Sequence, residues 1–204
     1  MSDPTSFWNA RYAESGFAYG DQPNDFLREV ANRIPTGPVL CLAEGEGRNA
    51  VYLATRGHDV TAVDLSATGL AKAEALARSR GVSIRTVVAD LDAYVIQPGA
   101  WAAIVSIWAH VPESLRARIH RAAVAGLRPH GVFVVEAYTP AQLALGTGGP
   151  KDASLLVDPD DLRRELAGLE LVRFESITRE VHEGPYHDGQ SAVVRVLGER
   201  RELA

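Results

Sequence analysis

The sequence contains a single cysteine, and this scarcity excludes several classes of protein. One cysteine cannot form a disulfide within the chain, and it cannot supply a cysteine-based zinc site. We therefore expect no disulfide framework, no metal site and a reducing compartment, which by default is the cytoplasm. At 204 residues, a compact fold buries roughly 70% of the surface of its unfolded chain, which is enough for a core without such cross-links.

Long apolar runs and an excess of basic charge are also missing. Apolar stretches such as Trp101 to Val105 are far shorter than the roughly 20 residues that span a bilayer, so we expect no membrane partner. The first twenty residues show no basic start followed by an apolar stretch, and we expect no signal peptide. Lys and Arg total 21 against 26 Asp and Glu, for a net charge of −5, which argues against nucleic acid as a partner. The sequence leaves the oligomeric state open.

From Pro38 onward, apolar runs of strand length alternate with stretches of helical period. The strands are predicted at Pro38 to Ala43, Asp59 to Val63, Val82 to Val88, Trp101 to Trp108 and Val132 to Tyr138. The helices are predicted at Asn49 to Arg56, Ser66 to Gly81, Pro112 to Leu127 and Pro159 to Leu166. A terminal antiparallel pair is predicted at Leu169 to Glu180 and Ser191 to Leu197, where apolar and polar residues alternate. The alternation as a whole is typical of an α/β fold, a doubly wound parallel sheet with helices on both faces.

We expect one domain over residues 1–204, with two segments that could cover a ligand. Residues 1–36 form an N-terminal arm before the first strand, and residues 139–152 are rich in turn formers and too long for a simple connector. In doubly wound sheets, ligands bind beyond the carboxyl ends of the strands, beside the first strand. The residues that follow each strand are therefore the candidates for a site.

The loop after the first strand combines glycines with acids. Gly45, Gly47 and Ala50, with Asp64 at the end of the second strand, have the spacing of a dinucleotide fingerprint, which permits NAD. A pyrophosphate on this helix N-terminus would lie beside the carboxylates of Glu44 and Glu46, and such a like-charge contact is costly. The charges therefore argue against NAD.

S-adenosylmethionine suits the same loop better, because it carries an adenosine, a sulfonium and an ammonium group but no phosphate. The glycines would let the backbone approach its amino-acid part, one acid could accept from the ammonium, and Asp64 could accept both ribose hydroxyls. In the alternative interpretation, Glu44 and Glu46 are solvated acids that only stabilise the helix N-terminus.

These residues belong to a set of ordered motifs that resembles class I S-adenosylmethionine-dependent methyltransferases. The motifs are VLCLAEGEGRN (residues 39–49), VTAVDLS (60–66), ADL (89–91), IVSIWAHVP (104–112) and LRPHGVFVVEAY (127–138). The arm, with FWNARY (7–12) and YGDQPN (19–24), is similar to that of the tellurite-resistance and thiopurine methyltransferase-like branch, which acts on small molecules. The chain departs from the family at Cys41, Ala43 and Glu44, where an acid, a glycine and a cysteine are usual.

The resemblance implies a Rossmann-like sheet of seven mostly parallel strands with an antiparallel C-terminal strand. It implies cofactor contacts from the loop at residues 44–47, ribose and adenine contacts after the second strand, an adenine edge after the third and methionine contacts after the fourth. The candidate cofactor-binding residues are Trp8, Glu44, Gly45, Glu46, Gly47, Asn49, Asp64, Leu65, Ser66, Asp90, Leu91, Ser106 and Ile107. Either Glu44 or Glu46 could meet the ammonium, and Asp90 could instead be a turn residue.

Methyl transfer from a sulfonium is an in-line displacement, so alignment and exclusion of water supply most of the rate. If the small-molecule acceptor must lose a proton, histidine is the candidate base, and His110 and His187 lie in suitable positions. Each has an alternative role, His110 in orienting the next helix and His187 as an exposed hairpin residue. Trp8 and its aromatic neighbours could stack near the sulfonium or only dock the arm. An NAD-dependent oxidoreductase and a non-catalytic S-adenosylmethionine-binding module remain the rival hypotheses.

Overall fold

The computed structural model describes residues 3–202 and places seven strands in one sheet of order β3-β2-β1-β4-β5-β7-β6. The strands are β1 (Pro38–Leu42), β2 (Asp59–Asp64), β3 (Arg85–Val88), β4 (Trp101–Ile107), β5 (Leu127–Tyr138), β6 (Leu169–His182) and β7 (Asp188–Arg200). Neighbours among the first five strands are parallel, and β7 runs antiparallel to both β5 and β6. The predicted fold class, including the antiparallel strand near the C-terminus, is confirmed.

Six α-helices accompany the sheet: α1 (Pro4–Ala13), α2 (Asp25–Val30), α3 (Arg48–Thr55), α4 (Ala67–Ser79), α5 (Glu113–Gly126) and α6 (Pro159–Glu165). Short 3-10 turns occur at Ala31–Arg33, Pro140–Ala144 and Ala153–Leu155. Ser66 is the N-cap of α4, since its side chain accepts a hydrogen bond from the amide of Gly69.

The sheet is covered on both faces because its central strands are apolar on both faces. In β1, Val39 and Cys41 pack into one buried cluster with residues of α2, α3 and α4, whereas Leu40 and Leu42 pack into a second with residues of α5 and α6. Side chains alternate between the faces of a strand, so a run without polar residues requires a helix layer on each side.

Three predicted strands differ from the observed strands by three or more residues at an end, and one of them, β7, spans Asp188–Arg200 rather than Ser191 to Leu197. The third strand begins at Arg85 rather than Val82, because Val82 and Ile84 pack against the clusters below the helices before the chain joins the sheet. The fifth strand begins at Leu127, earlier than expected, since Leu127 already pairs with Trp101 before a register shift at residues 101–103. Helix α5 ends at Gly126, and Pro129 lies inside β5, which continues through it.

The N-terminal arm is helical and partly built into the core. Helices α1 and α2 each begin at a side-chain cap. The side chain of Asp3 accepts a hydrogen bond from the amide of Ser6, and that of Asn24 accepts one from the amide of Leu27. Phe26 and Leu27 are fully buried against β1 and its neighbours. The second half of the arm is thus part of the packed fold.

A set of ionised side chains lies buried where the arm meets the carboxyl end of the sheet. Glu136 of β5 is completely buried, accepts from Arg195 of β7 at 2.8 Å and from Arg179 of β6 at 2.9 Å, and also bonds the side chain of Asn24. Glu183, after β6, is buried beside it. We call Glu136, Glu183, Arg48, Arg179 and Arg195, with Asn24, the buried charge cluster.

Replacing Glu136 with glutamine should destabilise the protein by about 3–5 kcal/mol, because it leaves Arg195 buried without its carboxylate. Urea unfolding followed by circular dichroism measures this loss. The matched control is Glu170→Gln, which breaks an exposed pair with Arg201 and should leave the midpoint almost unchanged. Equal midpoints for the two variants would contradict a structural role for the cluster.

Candidate functional site

The loop between β1 and α3 lies at the carboxyl end of the sheet and is shaped by its glycines. Gly45 and Gly47 have φ values of 60° and 87°, in the left-handed region that favours glycine. A Cβ atom on Gly47 would lie 2.3 Å from Cβ of Ala73 in α4, so only glycine allows this close approach. The amide of Gly45 donates to Oδ2 of Asp64 at 2.8 Å, which ties the loop to the end of β2.

The two acids of this loop have different surroundings. Glu46 is 4% exposed, and its oxygens accept from the amide of Ala18 at 2.7 Å and from Nζ of Lys72 at 2.9 Å. Glu44 accepts from the amide of Ala50 at 2.7 Å and keeps part of its side chain exposed. Burial raises the pKa of Glu44 to about 7, although the Ala50 amide opposes this effect. Glu46 therefore fastens the arm and α4 to the loop, while Glu44 bonds the start of α3 and borders the cavity.

Asp64 is almost completely buried at the end of β2. Its Oδ1 accepts from the amide of Ser66 and its Oδ2 from the amide of Gly45, both at 2.8 Å. Burial raises the pKa of Asp64 even though these amides oppose the shift. Because a carboxylate oxygen has two lone pairs, each oxygen can still accept one more hydrogen bond.

These side chains border a cavity with a volume of about 1390 Å³. Ligand pockets commonly measure roughly 300–1,000 Å³, so this cavity has room for two ligands side by side. Of the residues singled out from the sequence, those that line it are Trp8, Glu44, Gly45, Glu46, Asn49, Asp64, Leu65, Asp90, Leu91, Ile107, His110 and His187.

Three predicted cofactor-binding residues do not line the cavity. Gly47 packs against α4, and Ser106 is buried within β4. Ser66 is fully buried, caps α4 and donates its hydroxyl to Oδ1 of Asn9 in the arm at 2.6 Å. Their side chains shape the site from behind its wall.

Asn49 and Asp90 border the cavity but already hold local hydrogen bonds. The side-chain oxygen of Asn49 accepts from the amide of Asn24 at 2.9 Å, so it fixes the arm. Oδ1 of Asp90 accepts from the amide of Asp92 at 2.8 Å, which is the turn role that the sequence left open. Neither contact prevents further contact with a ligand.

The part of the cavity beyond β4 has an aromatic wall that the sequence analysis did not assign. Trp108 has a left-handed φ of 59° and stacks on Tyr138 with ring centroids 4.4 Å apart. His187 lies edge-on to Trp108 at 5.0 Å and beside Tyr19 of the arm at 4.6 Å. The motif around residues 104–112 pointed to this loop, but nothing in the sequence showed that the indole would be turned into the site.

Of the two histidines proposed as bases, His187 is buried and His110 is partly buried, and both are neutral at pH 7. Nε2 of His110 accepts from the amide of Tyr138 at 3.1 Å, so its lone pair is occupied, and burial lowers its pKa to about 4. His187 is 6% exposed, and its Nδ1 has no hydrogen-bond partner. Burial, followed by the charge of Arg48, lowers the pKa of His187 to about 3. The base role stays a prediction, and these pKa values make both rings weak bases.

Glu183 joins the buried charge cluster to the aromatic wall. Its Oε2 accepts from Nε1 of Trp108 at 2.7 Å and from Arg48, while its Oε1 accepts from Asn24 at 2.8 Å and Arg179 at 3.2 Å. Burial alone would raise the pKa of Glu183, but Arg48 and the other donors lower it to about 2. The carboxylate of Glu183 thus connects the arm, the start of α3 and the aromatic wall.

The first half of the arm forms the roof of the cavity. The guanidinium of Arg11 stacks 3.6 Å from the ring centroid of Tyr186, whose hydroxyl donates to Glu14. The backbones of Gly20 and Gly184 also touch, since a Cβ on Gly184 would lie 2.6 Å from the amide nitrogen of Gly20. No pattern in the sequence predicted that the arm would contact the β6–β7 turn.

Comparison with known proteins bears on this arrangement. Residues 39–131 match the family model described as a methyltransferase domain. The sequence is 26% identical over 145 residues to a 2-heptyl-1-hydroxyquinolin-4(1H)-one methyltransferase of Mycobacteroides abscessus, covering 70% of this chain and 64% of the relative. The match thus spans less than two thirds of the length of that relative.

Solved structures share the fold over nearly the whole chain. A structure reported under conversion of a disulfide bond into a thioacetal group during echinomycin biosynthesis superposes with a TM-score of 0.78 at 18% identity, covering 98% of this chain and 92% of its own. TehB from Haemophilus influenzae gives 0.73 at 18% identity, covering 97% and 67%. An S-adenosylmethionine-dependent methyltransferase from Clostridium acetobutylicum gives 0.66 at 17% identity, covering 87% and 90%. Residues 39–131 are thus similar to a methyltransferase domain, and the chain shares the fold of these solved structures.

Among residues 3–202, no group of three His, Cys, Asp or Glu side chains is arranged to hold a metal ion. In the described part of the chain, no helix combines the length and apolar character needed to cross a bilayer.

The low pKa values of His110 and His187 should make the stability of the protein fall in acid. The pKa of histidine in an unfolded chain is about 6.5, whereas burial lowers that of His110 to about 4 and that of His187 to about 3. Below pH 6.5 the unfolded state therefore binds more protons than the folded state. Each ring's contribution is complete above that pH and is lost as the pH falls, by up to about 1.4 kcal/mol per pH unit.

Urea unfolding at pH 7, 6 and 5 measures this dependence. We expect His187→Phe to lose stability less steeply with falling pH than the wild type. The control His130→Gln changes a side chain that is 64% exposed and should keep the wild-type slope. Parallel curves for wild type and His187→Phe would contradict a neutral buried imidazole.

Proposed function

We propose that this chain transfers a methyl group from S-adenosylmethionine to a small-molecule acceptor. The observation that carries the proposal is the pair of carboxylates, Glu44 and Asp64, that face the cavity from the ends of β1 and β2. Arg48, the first residue of α3, also lines the cavity, but its guanidinium is held in an ion pair with Glu183. This arrangement suits a cationic nucleoside and opposes the pyrophosphate of NAD.

The cofactor roles follow from the free lone pairs. Glu44 is proposed to hold the methionine ammonium, because both oxygens of Glu46 are engaged by Ala18 and Lys72. Asp64 is proposed to accept the ribose hydroxyls, with Leu65, Asp90 and Leu91 along the adenine. The loop backbone at Gly45, Ile107 of β4 and the roof residue Trp8 complete the proposed contacts.

When bound, S-adenosylmethionine supplies an electrophilic methyl group on a sulfonium. The work of the protein is to align the acceptor with that methyl group and to exclude water, and alignment of two reactants supplies up to roughly 7–11 kcal/mol. The arm and residues 139–152 cover the cavity from two sides, with Trp8, Leu143 and Lys151 among its lining. We propose both segments as covers that form the acceptor pocket.

The acceptor is proposed to be a small aromatic molecule, because Trp108, His187 and Tyr19 line the cavity beyond β4. The relative from Mycobacteroides abscessus is named for a methyl acceptor of that kind. The fold similarity to TehB and the arm motifs support a place in the tellurite-resistance and thiopurine methyltransferase-like branch. The lone thiol Cys41, buried in β1, supports the cytoplasm as the location.

Calorimetric titration should show micromolar binding of S-adenosylmethionine and S-adenosylhomocysteine and no binding of NAD. Asp64→Asn should weaken both ligands about tenfold to a hundredfold, since a hydrogen bond to a charged group contributes about 1.5–3 kcal/mol. Asp59→Asn, at the exposed opposite end of β2, is the matched control and should bind as the wild type does. Binding of NAD alone would overturn the proposed function.

The two loop acids should separate in their pH dependence. The affinity of the wild type for S-adenosylmethionine should rise by up to about tenfold per pH unit between pH 5.5 and 7 and then level off, because a cation binds the ionised form of Glu44, whose pKa is about 7. Glu44→Gln should lower the affinity and abolish this rise. Glu46→Gln should lower stability, because it leaves Lys72 unpaired, but should keep the rise. If the rise persists in Glu44→Gln, another group binds the ammonium.

A further inference from the structure

The cavity beyond β4 has flat aromatic walls and no free acid among the residues the structure describes. Trp108 and His187 meet at a steep angle of 68° with centroids 5.0 Å apart, and Tyr19 closes the third side. Every carboxylate that lines the cavity already accepts a hydrogen bond or an ion pair: Glu44, Glu46, Asp64, Asp90 and Asp92. None of these oxygens lies in the aromatic wall.

The wall also lacks a competent base among its described nitrogen and phenol groups. Nε2 of His110 uses its lone pair to accept from the amide of Tyr138. The hydroxyl of Tyr186 donates to Glu14, and burial raises the pKa of Tyr19, so neither phenol is ionised at neutral pH. Nδ1 of His187 and the hydroxyl of Tyr138 are buried without a hydrogen-bond partner. Burial lowers the pKa of His187 to about 3 and raises that of Tyr138 to about 12, so the imidazole is a weak base and the phenol is not ionised at neutral pH.

The charges that act on His187 are mainly positive. Arg48 of α3 and Arg11 of α1 disfavour a proton on its ring, as does the neighbouring His110, and Glu183 is the acid that opposes them. Glu183 is already shared among Arg48, Arg179, Asn24 and Trp108. Burial, the largest cause of the low pKa of His187, disfavours charge of either sign, whereas the positive charges of Arg48 and Arg11 favour a negative charge on a bound ligand.

Arg11 supplies a cation at the cavity surface. Its guanidinium lines the cavity, stacks on Tyr186 at 3.6 Å and reaches the hydroxyl of Tyr19 at 3.4 Å. Its nearest carboxylate is that of Glu14, at 3.9 Å, which is half exposed and accepts from Tyr186. A long, solvent-exposed contact of this kind neutralises little of the charge.

We propose that the acceptor is bound already ionised, as an oxyanion or thiolate on a planar aromatic ring, between Arg11 and a neutral His187 that donates a hydrogen bond to it. This inference rests on the proposed function. The bond that forms joins the anionic atom of the acceptor to the methyl carbon. The bond that breaks joins that carbon to sulfur, whose electron pair neutralises the sulfonium. The acceptor loses its proton to water before it binds, so no protein base is required.

The test uses 4-nitrophenol, whose hydroxyl ionises near neutral pH and whose anion alone absorbs visible light. The protein is first saturated with S-adenosylhomocysteine, and this binding is verified by calorimetry. We expect the apparent pKa of the bound nitrophenol to be at least about one unit lower than in water, which corresponds to tenfold tighter binding of the anion. A raised or unchanged pKa, or no saturable binding of the probe, would overturn the inference.

Variants assign the two groups. Arg11→Met removes the charge but keeps the length of the side chain, and His187→Phe removes the N–H but keeps the ring, so each should reduce the shift. His187→Gln keeps an N–H donor that cannot titrate, and it should retain most of the shift. Arg118→Met, which removes a cavity cation paired with Asp92, is the matched control and should shift the probe as the wild type does. Equal losses in His187→Gln and His187→Phe would exclude the donor role.

Two outcomes distinguish failure of the proposed function from failure of this inference. Protein that does not bind S-adenosylhomocysteine fails the proposed function. Protein that binds it without shifting the pKa of the probe keeps that function and fails this inference.

Discussion

The buried carboxylate of Glu183 is the contact on which the arrangement of the site depends. Its two oxygens accept from four donors, and these donors come from the arm, the start of α3, the end of β4 and β6. Four segments that are distant in sequence are thereby fixed relative to one another at the carboxyl end of the sheet. A buried carboxylate without partners is costly, so removing one of the four donors should weaken the whole set of hydrogen bonds around Glu183.

This arrangement explains how one cavity presents two chemically different halves. The acids after β1 and β2 face the proposed cofactor, and their positions are set by backbone amides of the loops. The aromatic wall after β4 is set instead by the buried charge cluster, through the indole N–H of Trp108. Arg48 connects the two halves of the cavity. It directly follows the loop after β1, and its guanidinium pairs with Glu183, the carboxylate that holds the aromatic wall.

The order of the strands and helices could be predicted because each depends on local periodicity, and the ends of the parallel strands located the site. The arm helices could not, because α1 has almost no apolar face and α2 is only six residues long, so contacts with the rest of the fold stabilise both. Glu44 and Glu46 could not be told apart, because the difference depends on Ala18 and Lys72, which lie 28 and 26 residues from Glu46. The turned indole of Trp108 likewise depends on a carboxylate 75 residues away.

The arm consists of two parts with separate supports. Residues 18–30 are fixed by buried contacts, from the amide of Ala18 to Glu46 and from Asn24 to Glu183. The helix α1 rests above the cavity through Asn9 and Tyr12, and the two parts meet at Gly16, whose surroundings are open on the side a Cβ would occupy. The side-chain contacts of α1 through Asn9 and Arg11 involve no residue of the buried charge cluster, so the helix above the cavity and the cluster behind its wall are supported independently.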